Sequence, residues 1–100
     1  MQKQNISDVK IHKTGDGNQV LIKITMAGSN NTSITDLSLN VNSGREVRYG
    51  GYVGFESIVF PFTCKIFYTT KNTLRTAEYN CALEFEITEP GRWEVKIENN

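Results

Sequence analysis

The chain has no window of twelve residues with a helical stripe, no apolar run near the ~20 residues that a membrane-spanning helix needs, and no excess of either charge. Eleven basic residues balance eleven acidic ones over 100 residues, so no global field draws the molecule to nucleic acid or to an anionic membrane. Histidine occurs once, as His12, and two cysteines, Cys64 and Cys81, complete the soft-ligand inventory. These three residues fall short of a zinc site, and the CxxC spacing of redox proteins is absent. GxxxxGK[ST], GxSxG and a GxGxxG between strand and helix are absent too, which removes the common phosphate-binding and acyl-transfer motifs. Basic residues do not interleave with aromatics as they do in single-strand nucleic-acid binders. The opening MQKQNISD has no apolar segment of the signal-peptide kind. Either the chain is cytoplasmic or a leader precedes it that has been trimmed.

What is present is period-two alternation of β-branched and aromatic residues, punctuated by Gly, Asn and Asp. The 38% hydrophobic and 22% charged composition suits one globular domain spanning 1–100, with 1–7 as a disordered tail. Val9 and Ile11 alternate with Lys10 and His12. After Asp16-Gly17, Val20, Ile22, Ile24 and Met26 share one face. Asp-Gly suits a two-residue type I′ turn, and such a turn pairs Val9 with Ile24 and Ile11 with Ile22. Leu37, Leu39 and Val41 form a third strand. A turn at Ser43–Arg45 then sets Val41 opposite Val47 and Leu39 opposite Tyr49, with Val47 and Tyr49 facing inward.

A long hairpin follows. Pairing residues whose numbers sum to 145 sets Ile58, Phe60, Phe62, Cys64, Ile66 and Tyr68 against Ile87, Phe85, Leu83, Cys81, Tyr79 and Ala77. Every pair on that face is apolar, and a slip by one residue would bring glutamates into the core. Pro61 cannot donate to a ladder and marks an edge or a bulge. In this register Cys64 and Cys81 stand opposite each other, close enough to form a disulfide or to lie as two buried thiols.

The chain closes on Glu89-Pro90-Gly91-Arg92-Trp93-Glu94-Val95. This stretch resembles the Pro-Gly-x-aromatic-x-Val turn that precedes the last strand in many bacterial extracellular immunoglobulin-like sandwiches, with Trp93 where those domains usually carry Tyr. The resemblance covers only this final hairpin, and it implies a secreted or cell-envelope module. With it, the fold expected is a seven-stranded antiparallel two-sheet sandwich, immunoglobulin-like. The cysteines lie on neighbouring strands and Trp93 follows both, so the antibody-type Cys–Trp–Cys arrangement is absent.

Three function classes then stand. The first is a non-enzymatic module binding a protein or carbohydrate partner, with no nucleic acid, cofactor or metal involved. The second is an assembly subunit that pairs through strand edges, motivated by Pro61 and the apolar run 58–62. Carboxylate-based hydrolysis comes last. Glu84, Glu86, Glu94 and Glu98 cluster on one outward face in the expected pairing, but a flat face with lysines nearby offers neither cleft nor perturbed acid. The candidate binding residues are Tyr49, Tyr52 and Phe55 in RYGGYVGFES. Gly-rich and aromatic, this stretch reads either as the crossing from one sheet to the other, with Phe55 and Val53 plugging the end, or as an exposed tyrosine loop. Alternation does not assign Tyr52 to a side.

Overall fold

β-branched and aromatic residues on alternate positions give extended segments that cannot bury themselves alone, and two sheets stacked face to face are one solution. A computed structural model describes residues 7–99, and the remainder of the expected 1–7 tail lies outside them. Among the described residues there are eight strands and no helix: β1 (Ser7–Gly15), β2 (Val20–Ala27), β3 (Thr32–Val41), β4 (Arg45–Tyr49), β5 (Tyr52–Glu56), β6 (Phe62–Asn72), β7 (Ala77–Ile87) and β8 (Gly91–Asn99). Sheet A has the order β1-β8-β2-β5-β4, and sheet B the order β3-β6-β7. The all-β, two-sheet architecture is as expected, with one strand more than the seven anticipated.

The neighbours differ more than the count. β1 and β2 do not form a hairpin, because β8 lies between them, antiparallel to β1 and parallel to β2. Asp16 does not take the positive φ that a type I′ turn requires there. Residues 16–19 instead span the width of the inserted strand. The faces nevertheless survive: Ile11 meets Val95 and Val95 meets Ile24, all on the inner side.

The second expected hairpin is also replaced. β3 leaves for sheet B, where Val41 pairs with Cys64 rather than Val47. Residues 42–44 cross between the layers. The crossing is held by the Asn42 side-chain carbonyl, which accepts from the Thr63 N–H, and by the Asn42 N–H, which donates to the Thr63 carbonyl at 3.2 Å. Residues 88–90 cross in the same way, so Glu89-Pro90-Gly91 is a passage between sheets and not a hairpin tip.

The β6–β7 hairpin forms with the expected parity but a longer loop: Phe62 pairs with Ile87 and Asn72 with Ala77, leaving 73–76 as the tip. The Asn72 side chain selects this loop by accepting from the N–H groups of Leu74 and Arg75, at 3.0 and 3.1 Å. Ile58, Phe60 and Pro61 precede β6 and belong to the crossing 57–61. Pro61 therefore marks no strand edge, and the Phe60–Pro61 bond is cis.

The inner side chains of β2, β5, β8 and β6 form the core: Val20, Ile22, Val53, Phe55, Val95, Ile97, Phe62, Cys64, Ile66 and Tyr68 are buried, with Ile87 from β7. Three strands thus cover the middle of five, and β1 and β4 overhang. Each fully buried Ile or Val contributes roughly 1.5–3 kcal/mol. Thr70 sits in this layer at 0% exposure, and its hydroxyl has no hydrogen-bond partner among the described residues.

An unpaired buried hydroxyl costs about 1–3 kcal/mol. Thr70→Val, which keeps the shape and removes the hydroxyl, should raise the urea midpoint. Ile66→Ala should lower stability by about 2–5 kcal/mol by opening a cavity at a fully buried site. A Thr70→Val variant less stable than the parent would show that the hydroxyl is satisfied.

Candidate functional site

RYGGYVGFES is not the crossing between sheets. It is the β4–β5 hairpin, in which Tyr49 pairs with Tyr52 across a two-residue Gly50-Gly51 turn. Gly50 adopts φ 56°, where a side chain would be strained. The crossing expected there begins only at the last residue of the stretch, Ser57, which takes φ 56°, and runs to residue 61.

Register assigns every side chain of this hairpin. Leu21 of β2 pairs with Gly54, and Gly54 pairs with Val47. Leu21 alternates with buried Val20 and Ile22, so this row lies on the outer face of sheet A. Tyr49, Tyr52 and Val47 therefore point outward, contrary to the inward placement expected of Val47 and Tyr49. Glu46 and Arg48 take the inner side, 3.4 Å from each other. The cause is the overhang: β4 has no strand of sheet B squarely over it, so its inner side remains wet enough for charge.

Tyr49 is 39% exposed, and its ring covers the hollow above Gly54. A Cβ built on Gly54 would stand 2.5 Å from the Tyr49 Cε2 and 3.1 Å from the Leu21 Cδ2. A ring laid across a strand glycine replaces the packing that the missing side chain would supply. Tyr52 is half-buried beside it. Phe55, the third candidate, is 4% exposed. Its ring packs on Phe62 with centroids 5.5 Å apart, so it is a core residue and presents nothing to a partner.

A polar strip continues the same outer face. The His12 Nε2 lies 3.4 Å from a Glu94 carboxylate oxygen, and the Lys96 ammonium 3.8 Å from the same oxygen. Lys23 stands next to Glu94 across the parallel β2–β8 pair. The tyrosines thus border a strip of mixed charge. The four glutamates do not converge: Glu94 and Glu98 lie on the outer face of sheet A, and Glu84 and Glu86 on that of sheet B. Two shallow hollows, of about 340 and 360 Å³, each hold a single carboxylate, Asp16 and Glu84 respectively. Among the described residues no three His, Cys, Asp or Glu side chains assemble as a metal site. Nor is there among the described residues a helix long and apolar enough to cross a membrane.

The outer face of sheet B has an aromatic of its own. Phe67 is 40% exposed and sits between Ser38 and Ala82, small neighbours that leave its ring uncovered. It is a lone ring among Thr, Asn, Lys and Glu, whereas sheet A offers two adjacent rings with apolar flanks. The signal that alternation missed was Leu21 and Val47. Their outward position follows from Gly54 only once its neighbours are known.

The cysteines are free, and the disulfide option is closed. Cys64 pairs with Phe85, and Cys81 with Tyr68. Four residues of strand, roughly 13 Å, therefore separate them along the ladder, far outside bonding reach. Burial, reinforced by the nearby Glu46 carboxylate, pushes the Cys64 thiol up to about 12.

The unfolded thiol ionises near 8.5, while the folded one keeps its proton to about 12. Cys64 therefore favours the folded state fully below about pH 8.5, and that contribution is lost as the pH rises toward 12. Thiol labelling of the native protein at pH 8 should modify half-buried Cys81 and spare Cys64 until denaturant is added. Cys64→Ala should flatten the alkaline fall in stability. Equal native labelling of both thiols would contradict this assignment.

No family model, curated protein or solved structure matches the chain, so its function is read from the geometry of the two outer faces and the strand edges.

Proposed function

We propose that this chain is a non-enzymatic, immunoglobulin-like sandwich module of the secreted or cell-envelope kind that binds a protein or glycan partner through Tyr49 and Tyr52. The observation that carries the reading is their pairing at the tip of the β4–β5 hairpin, on the outer face of sheet A. Leu21 and Val47 flank them, and Gly54 lets one ring lie flat. Tyrosine supplies a large contact area at low entropic cost and retains a hydroxyl for a polar partner. Flat rings beside a strip of Lys and Glu suit the alternating apolar and hydroxyl faces of a sugar, or a protein side chain anchored between them. Support for the compartment comes from the Pro-Gly-x-Trp resemblance alone, since the free cysteines add none.

A second reading is assembly through strand edges. Its original motive, Pro61 in an edge strand, is gone, because 57–61 is a crossing. The free edge of β7 now supports it instead.

An array of oligosaccharides and a display library of peptides should each be probed with the parent chain, Tyr49→Ala and Tyr52→Ala. Loss of a central aromatic anchor costs about 2 kcal/mol or more of binding, so each variant should weaken its ligand by roughly thirtyfold. The urea midpoint should move little in Tyr52→Ala, and fall modestly in Tyr49→Ala, where the ring over Gly54 is lost. A stability loss above about 2 kcal/mol for Tyr52→Ala, the scale of a core truncation, would make Tyr52 a packing residue and remove the proposal.

A further inference from the structure

Four strands have a free edge: β1 and β4 in sheet A, β3 and β7 in sheet B. Unpaired backbone groups along an edge invite any passing strand, and folds discourage this with bulges, short edges or charges pointing inward. Three of the four edges here are treated so. β1 shifts register between Lys13 and Gly15, and Lys13 lies on the inner side beside Trp93. β3 breaks between Thr35 and Ser38, where Asp36 adopts φ 56°. β4 is five residues long and turns Glu46 and Arg48 inward.

β7 has no such interruption. Its eleven residues run against β6 without a register shift. The inner row, Tyr79, Cys81, Leu83 and Phe85, contains no charge and is only half-buried, while the facing row on β6 is buried throughout. Side chains on the last strand of a sheet stay half-exposed when nothing continues the layer beyond them.

The space beyond β7 has a floor. Three residues join β7 to β8, the neighbour of β1. The Lys13 ammonium reaches Glu89 in that connection at 3.1 Å, which places the free edge of β7 on the flank where β1 overhangs. Val9 and Ile11, on the inner side of β1, are half-buried there. A strand laid against β7 would continue sheet B and set its inner side chains over this floor.

The outer row of β7 indicates which strand fits. It carries Glu78, Asn80, Ala82, Glu84 and Glu86. Lys71 and Lys65 of β6 approach Glu78 and Glu84 only to 3.7 Å, in exposed pairs. Glu86 has Thr63 beside it and no cation paired with it among the described residues. A second copy is a poor occupant: the antiparallel register of fullest overlap, Ala77 against Ile87, sets Glu78 against Glu86 at both ends, and like charges directly opposite destabilise a ladder. A strand with Lys or Arg at alternate positions meets the acidic row instead. We propose that the free edge of β7 accepts an extended segment of a partner protein, basic and apolar at alternating positions, as a fourth strand of sheet B. This deepens the edge-pairing reading and does not depend on the tyrosines. It is strand addition, in which backbone bonds supply affinity and the alternating side chains supply selection.

The test is amide hydrogen exchange of the isotope-labelled chain with two capped nonapeptides, one alternating lysine with valine and one alternating glutamate with valine. The basic peptide should slow alternate amides of β7 by at least about tenfold, and raised salt should weaken the effect. In Glu78→Lys/Glu86→Lys the preference should pass to the acidic peptide. Equal slowing by both peptides, no slowing of β7, or changes confined to the β4–β5 hairpin would each overturn the proposal. Slowing of β7 that grows with the concentration of the chain alone would also overturn it, by making a second copy the occupant.

Discussion

The parallel pairing of β2 with β8 is the constraint on which the topology depends. Antiparallel neighbours can be joined by two residues, but parallel neighbours need the chain to return to its starting end, which takes a long connection. Here everything from residue 28 to residue 90 is that connection. It visits sheet B through β3, comes back for the β4–β5 hairpin, and leaves again for β6 and β7 before β8 can enter. Each of the crossings 28–31, 42–44, 57–61 and 88–90 is short, so the two layers stay close and in register while the core closes between them. Gly91, the first residue of β8, donates its N–H to the Gln19 carbonyl at 2.9 Å, at the start of the parallel pair.

Alternation showed in the sequence which face each long strand buries, and for β1, β2, β6, β7 and β8 those faces are the ones observed; in β3 Leu39 and Val41 face inward as expected, but Leu37 is exposed where the register shifts. It could not show which strand lies beside which. Val9, Ile24 and Val95 all face inward, so β8 slips between β1 and β2 without turning a single side chain over. The same limit explains the cysteines. A pairing sum of 145 and the observed sum of 149 present identical faces, and what holds the second is the loop: the Asn72 side chain accepts from Leu74 and Arg75, and the Thr73 N–H and hydroxyl donate to the Asn31 carbonyl. Once that loop is set, Cys64 and Cys81 are four positions out of step. Turn composition was the weaker guide, because Asp16-Gly17, Ser43-Gly44 and Pro90-Gly91 serve connections between non-adjacent strands as readily as tight hairpins.

Covering five strands with three has consequences at both flanks. Under the middle strands the inner rows are dry, and Cys64 there holds its proton to about 12. Toward the flanks the inner side becomes wet, and charge is accepted: Lys13 on β1 and the Glu46–Arg48 pair on β4. The Glu89 carboxylate holds the Lys13 ammonium above its ordinary value, chiefly through their hydrogen bond. That contact joins β1 to the middle of the β7–β8 crossing, so the overhanging strand is tied to the layer that does not cover it.

The candidate aromatic surface arises from the same mismatch. On a fully covered strand, Val47 and Tyr49 would turn toward the core and Glu46 and Arg48 toward water, as simple alternation suggests. β4 is uncovered, so its apolar row loses little by facing outward, provided something outside receives it. Gly54 is what receives it: the missing side chain leaves a hollow between Leu21 and Val47 that the Tyr49 ring fills. Gly54 in β5 thus accommodates the outward apolar row of β4, and Tyr49 and Tyr52 stand side by side on the outer face. RYGGYVGFES could not reveal this alone. The side that its tyrosines take depends on Leu21, nearly thirty residues upstream, and on the strand of sheet B that does not reach over β4.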